Sequence, residues 1–223
     1  MSDECRTQSG GRGPILAVIN AYRKQFAVPL QSVNMSLRSY LKSLGIQGDV
    51  TQRLKRMPTI VDKLTNRETE LDLSRMRDIA GCRVVITRND IGDLRALADY
   101  IAMQNPHAKL IDYVSTPRSS GYRALHVEVE RHGRAVEIQL RTPNMHTWAE
   151  SAEAFSEILN KNFKQDGSSK VHEHMKQWNL IMQIDERGET VPASALEKLQ
   201  LLSDDVAVLL ESTLGSIEEK QDE

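Results

Sequence analysis

The chain has 223 residues, 39% of them hydrophobic and 27% charged, with a formal net charge of −2. That is apolar material enough for one domain with helical extensions, and the near-neutral balance excludes a nucleic-acid polycation. No apolar run approaches the roughly 20 residues that span a bilayer, and residues 1–13 lack the apolar block of a signal peptide.

Residues 14–44 read as helix, with Ile15, Val18, Ile19 and Tyr22 on a 3.6-residue period. Pro29 is expected to break or kink this stretch and Gly45 to end it. A basic run, Arg53-Leu-Lys-Arg56, leads to a helix from Pro58 to about Asn66, where proline suits the first turn. Residues 79–87 read as a central strand buried on both faces, because Cys82, Val84, Val85 and Ile86 are nearly continuous. A helix over 91–103 and a strand over 109–115 follow. Residues 122–130 and 134–141 alternate in polarity and are joined as a hairpin by Arg131-His132-Gly133. Helices over 144–161, 170–184 and 192–214 complete the chain, and the tails 1–13 and 216–223 read as flexible. Helices, a small mixed sheet with one inserted helix, then helices again predict an α+β fold. Cys5 and Cys82 stand in unlike surroundings and suggest neither a disulfide framework nor a metal cluster. A cytoplasmic protein with no membrane partner is expected.

The hairpin is the most informative segment. One face takes Leu125, Val127, Val129, Val136, Ile138 and Leu140; the other takes Tyr122, Ala124, His126, Glu128, Glu137, Gln139 and Arg141. The polar face either meets water, as antiparallel sheets allow, or forms a site. Asp78 stands just before the apolar strand, where it either caps that strand or, with Glu137, holds Mg²⁺, which takes one or two carboxylates plus substrate phosphates. Arg83 lies inside the strand, where its charge needs an anion or a purine face. Thr59 and Lys63 share one side of a helix start, and Arg53 and Lys55 share one side of an extended approach. Such a helix N-terminus with cations around it suits a polyphosphate, although the same charges also serve merely to solvate a helix. Ser115 to Gly121 reads as a polar loop able to cover a substrate, or as an ordinary surface loop.

Read together, these segments resemble the synthetase domain of the RelA/SpoT family, in particular its short single-domain alarmone synthetases. The resemblance rests on Arg53-Leu-Lys55, Thr59-Ile, Lys63-Leu, Met76-Arg-Asp78-Ile-Ala-Gly-Cys-Arg83, Asp112-Tyr113, Ser120-Gly-Tyr122-Arg-Ala-Leu-His126, Val136-Glu137-Ile-Gln139-Leu-Arg141-Thr142 and Trp148-Ala149. It implies a synthetase domain over 14–185, a helical extension over 186–215, and a nucleotidyltransferase-like mixed sheet flanked by N- and C-terminal helices. It implies an Mg²⁺-dependent GTP diphosphokinase that uses ATP and GDP or GTP to make ppGpp or pppGpp, releasing AMP. Asp78 and Glu137 would be the catalytic and metal carboxylates, Arg53 and Arg83 would sandwich adenine, and Lys55, Thr59 and Lys63 would surround the ATP phosphates. Tyr122, Arg118, His126, Gln139 and His146 would serve the guanine nucleotide. Ile111, Glu150 to Glu157 and His146 depart from the family's usual residues near that nucleotide. Synthesis without hydrolysis and a homo-oligomer, a tetramer by resemblance, are also implied, with RNA or an alarmone as possible regulator. Other readings are a toxin-type relative acting on tRNA 3′ ends or adenine nucleotides, and a non-catalytic nucleotide- or RNA-binding regulator.

Overall fold

The computed structural model describes residues 12–67, 72–164 and 167–219. Two helices open the chain, α1 (Arg12–Lys24) and α2 (Ala27–Leu44). The break falls at Gln25-Phe26, before Pro29, which instead occupies the first turn of α2, where no intrahelical N–H is required. Gly45 ends α2 in the left-handed conformation at φ 67°.

Strand β1 (Gly48–Leu54) was not legible in sequence, since Val50 is its one buried residue and no alternation marks it. The next helix, α3 (Met57–Asp62), continues into a π-helical turn at Lys63–Arg67. There follow β2 (Ala80–Ile86), α4 (Ile91–Gln104), β3 (Lys109–Asp112), β4 (Leu125–Arg131) and β5 (Arg134–Arg141). The strands form a mixed five-stranded sheet in the order β1-β2-β5-β4-β3. Three helices end the described chain: α5 (Pro143–Ile158), α6 (Lys170–Glu186) and α7 (Ala193–Glu219). Arg12 and Gly13, expected in a flexible tail, begin α1, and residues 216–219 continue α7; the rest of the expected tails, residues 1–11 and 220–223, lies outside the described residues. No described helix is long and apolar enough to cross a membrane.

The chain divides into two compact units. Met1–Val84, Ala96–Leu110 and His126–Leu140 make the first; Val85–Arg95, Ile111–Leu125 and Arg141–Glu223 make the second. This differs from the expected domain over 14–185 with a separate extension over 186–215. The reason is that α7 packs on α6, burying Leu202 and Val206. Leu202 and Val206 of the last helix thus find partners within the chain, while Leu196 and Leu209 stay exposed.

In the first unit, α2 lies against β1, and buried residues alternate along the strands: Cys82 and Val84 on β2, Val127 and Val129 on β4, Val136, Ile138 and Leu140 on β5. Alternation on β2 corrects the expectation of a strand buried on both faces. Arg83 sits at a half-buried position between buried ones, so its charge is not sunk in the core. The hairpin turn is a two-residue loop with positive φ at His132 (51°) and Gly133 (69°), the conformation that matches strand twist.

In the second unit, the core gathers Tyr122, Trp148, Phe163, Met175 and Val206. Thr142 caps α5 by accepting the Met145 N–H, and the Trp148 indole donates to the Met175 carbonyl at 2.8 Å. Arg123 is buried with Glu186, Nη1 lying 2.7 Å from Oε2. Strand β3 stops at Asp112, short of the expected Ser115, because the Asp112 carboxylate accepts the backbone N–H groups of Val114 (2.9 Å) and Ser115 (2.7 Å) and folds them into a turn. Burial alone would push the Asp112 carboxyl up, but the Ser115 N–H and Arg95 override it and lower it from 3.8 to about 2. The contribution of a carboxyl lowered in this way is fully present above pH 3.8 and lost as pH falls through about 2. An NMR titration of the Asp112 carboxyl carbon is expected to give a midpoint near 2; a midpoint at the ordinary value would show that the turn is open in solution.

Candidate active site

The half-buried face of the sheet in the first unit carries Gly81 and Arg83 on β2, His126 and Glu128 on β4, and Glu137 and Gln139 on β5. Because β2 and β5 are neighbours, residues 81 and 137 come side by side: a Cβ at Gly81 would lie 3.7 Å from the Glu137 carbonyl oxygen. Asp78 stands in the turn that enters β2.

Lys55 follows β1 and is pinned through its backbone. Its N–H donates to the Ile79 carbonyl at 2.8 Å, and its carbonyl accepts from Arg23 Nε at 2.8 Å. The side chain consequently reaches Asp78, with Nζ 2.7 Å from Oδ2. Lys63, where α3 passes into its π turn, places Nζ 3.3 Å from Asp78 Oδ1. Burial would raise the Asp78 carboxyl, but the hydrogen bonds and charges of Lys55 and Lys63 hold it below its ordinary value. Glu137 is gripped from both sides, by His126 Nδ1 at 3.0 Å from Oε1 and Gln139 Nε2 at 2.9 Å from Oε2. Here too burial pushes up; the bond and charge of His126, then the Gln139 bond, override it, while the negative charge of Asp78 works against them. Both carboxylates are thereby kept ionised at neutral pH and within electrostatic reach of each other.

The structure thus brings Lys55, Lys63, Asp78, His126, Glu137 and Gln139 into one cluster. Thr59 is half-buried on α3, four residues before Lys63. Arg53 is exposed on β1 and Arg83 half-buried on the adjacent β2, each an odd number of positions from its strand's buried residues, hence on the same side. An all-oxygen pair of carboxylates suits Mg²⁺, which takes one or two such ligands and fills its shell with water and phosphate. Among the described residues no group of three His, Cys, Asp or Glu assembles, so a protein-only cage of the zinc type does not form there. The residues present fit Mg²⁺.

The second unit holds Arg118, Tyr122 and His146. Tyr122 does not share a strand face with His126 as expected, because β4 begins only at Leu125. Its ring is 5% exposed, edge-on to Tyr113 and Trp148, and its hydroxyl accepts from Arg141 at 3.1 Å. Arg141, expected on the open face, is buried by that contact. The Arg118 guanidinium lies 4.7 Å from the Tyr113 ring centre and donates to the Tyr113 hydroxyl, leaving half-buried Tyr113 as the more open ring. His146 pairs along α5 with Glu150 at 3.2 Å. Sequence reasoning gave no role to Tyr113 or to the Arg123–Glu186 pair; Tyr113 stood in a recognised motif, whereas nothing local marks Glu186.

Residues 52–161 match the model of the region found in RelA/SpoT proteins, a span that contains every candidate residue named above. The guanosine-3′,5′-bis(diphosphate) 3′-pyrophosphohydrolase of Vibrio cholerae is 27% identical over 154 residues, covering 68% of this chain and 21% of that protein. The GTP pyrophosphokinase of Escherichia coli is 28% identical over 145 residues, covering 64% and 19%. The chain spans about a fifth of the length of these relatives. In fold it is similar to the small alarmone synthetase 1 of Bacillus subtilis bound to its product pppGpp, with a TM-score of 0.58 at 22% identity over 74% of this chain and 93% of that one. A GTP pyrophosphokinase family protein from Streptococcus pneumoniae gives 0.56 at 21% identity over 86% and 95%.

Proposed function

Because this chain belongs to the RelA/SpoT family, we propose that it moves the pyrophosphoryl group of ATP to the ribose 3′-hydroxyl of GDP or GTP, making ppGpp or pppGpp. The bond between the β-phosphorus and the oxygen bridging it to the α-phosphate breaks, and AMP leaves with that oxygen. A bond from the 3′-oxygen to the β-phosphorus forms. The observation that carries this reading is the ionised pair of Asp78, in the turn entering β2 and held by two lysines, and Glu137 on the neighbouring strand β5, inside the family-matched span.

Each residue has a physical task. Glu137 accepts the proton that the 3′-hydroxyl loses. Lys55 and Lys63 neutralise the donor phosphates, Thr59 offers a hydroxyl, and Arg53 and Arg83 take the adenine between their guanidinium planes. Asp78 and Glu137 would hold Mg²⁺, which when bound neutralises phosphate charge and orients the chain for in-line displacement. Toward the guanine nucleotide, Arg118 offers a guanidinium that suits a phosphate, and Tyr122, His126, Gln139 and His146 are its further contacts. The activities named for the E. coli and B. subtilis relatives support synthesis.

The test is to incubate purified protein with γ-labelled ATP and Mg²⁺, offering GMP, GDP, GTP, ADP and bulk tRNA separately. Label on guanine nucleotides is expected, and ppGpp supplied alone should stay intact. Label on tRNA alone would overturn the reading in favour of a toxin-type activity, and no label on any acceptor would favour a regulator.

A further inference from the structure

We infer that Lys55 and Lys63 close Asp78 to a free divalent cation, so that the site takes its metal only together with a polyphosphate. The donor substrate is then the metal–nucleotide chelate, not nucleotide added to a metal-loaded protein. This rests on the proposed function, whose ATP site supplies the polyphosphate.

Both oxygens of Asp78 carry an ammonium, Lys55 Nζ at 2.7 Å on Oδ2 and Lys63 Nζ at 3.3 Å on Oδ1. Among the described residues the two positive charges offset those of Asp78 and Glu137, which weakens the negative field the cluster offers to a dication. A cation approaching Asp78 must also displace an ammonium from whichever oxygen it takes. A triphosphate changes both conditions. It bears several negative charges where Asp78 bears one, and so draws the lysines more strongly than the carboxylate holds them. Their departure uncovers Asp78 while the phosphates bring the negative charge that a dication needs.

The exchange does not require the fold to move. The side chains of Lys55, Lys63 and Asp78 are 15%, 21% and 29% exposed, and each lysine swings on a flexible four-carbon stem. The Lys55 backbone stays anchored to Ile79 and Arg23 throughout. By linkage, whatever factor nucleotide adds to metal affinity, metal adds to nucleotide affinity.

The experiment uses Mn²⁺ as probe, with free Mn²⁺ read by electron paramagnetic resonance and no nucleotide present. The double variant Lys55→Gln/Lys63→Gln is expected to bind Mn²⁺ at least tenfold more tightly than the unaltered chain, and adding Asp78→Asn should abolish the gain. Lys63→Gln alone, which removes the longer contact, should gain less, and it decides the question if the double variant does not fold. Equal Mn²⁺ affinity in the unaltered chain and the lysine variants would overturn the inference. A separate calorimetric titration with α,β-methylene-ATP tests the ATP site itself: failure to bind there sinks the proposed function whatever the Mn²⁺ result.

Discussion

Replacing Glu137 by glutamine is expected to lower turnover by about 10²–10⁴-fold, with a stability loss of about 1–3 kcal/mol and little change in binding of an ATP analogue. The substitution keeps shape and one acceptor oxygen but removes the negative charge and the ability to take a proton. Loss of one charge-assisted bond from His126 or Gln139 costs only about 1–3 kcal/mol. Glu137 is held below the ordinary carboxylate value of 4.5, which makes it a weak base. In the proposed reaction it would therefore accept the proton as the 3′-oxygen bonds to phosphorus and becomes acidic, rather than generate an alkoxide beforehand. The sign for folding follows the same shift. The contribution of Glu137 to stability is present above pH 4.5 and is lost as pH falls through its lowered value. Single-turnover transfer from labelled ATP, beside calorimetric binding of α,β-methylene-ATP, separates the chemical loss from a binding loss. Turnover within threefold of the unaltered chain would remove Glu137 from the chemistry.

Glu186→Gln is expected to destabilise the protein by about 3–5 kcal/mol. The Arg123 and Glu186 side chains are 6% and 3% exposed, so the substitution strands a guanidinium without its counter-charge in a place water scarcely reaches. The pair is close but poorly oriented. Among the described residues neither Arg123 Nε nor the Glu186 oxygens make a well-formed hydrogen bond. Charge proximity, not directed bonding, holds it together, and the double change Arg123→Met/Glu186→Leu should consequently restore most of the lost stability. Urea denaturation of the unaltered chain, Arg123→Met, Glu186→Leu and the double variant measures the coupling. If Glu186→Gln unfolds at the same urea concentration as the unaltered chain, the pair is solvated in solution and carries nothing. The position matters because Arg123 follows Tyr122, so the pair ties the segment bearing Arg118 and Tyr122 to the end of α6.

Local order in the chain was enough to place the candidate carboxylates of the first unit. Alternation along 134–141 puts Glu137 and Gln139 on one face whatever surrounds them, because a strand repeats every two residues. The hairpin turn, the helix stop at Gly45 and the position of Asp78 at the entry to β2 are likewise set by residues within a few positions of each other. Where burial and not periodicity decides, local order was silent or misleading. Tyr122 alternates in register with His126 and yet leaves the strand, because Trp148 and Met175, distant in sequence, offer its ring a core. Arg141 follows the polar face by position but is drawn inside by the Tyr122 hydroxyl. Strand β1 forms because β2, distant in sequence, is there to hydrogen-bond with it, not because its own residues alternate.

The amino-acid order by itself determined which functional groups the protein owns and which of them share a strand or helix face, since neighbours in the chain fix those relations through backbone geometry alone. Only the tertiary structure decided that Lys55 and Lys63 settle on Asp78, that His126 grips Glu137, and that Arg123 finds Glu186. Those pairings depend on charges brought together from distant segments, and their strength is set by how far burial removes water from between them.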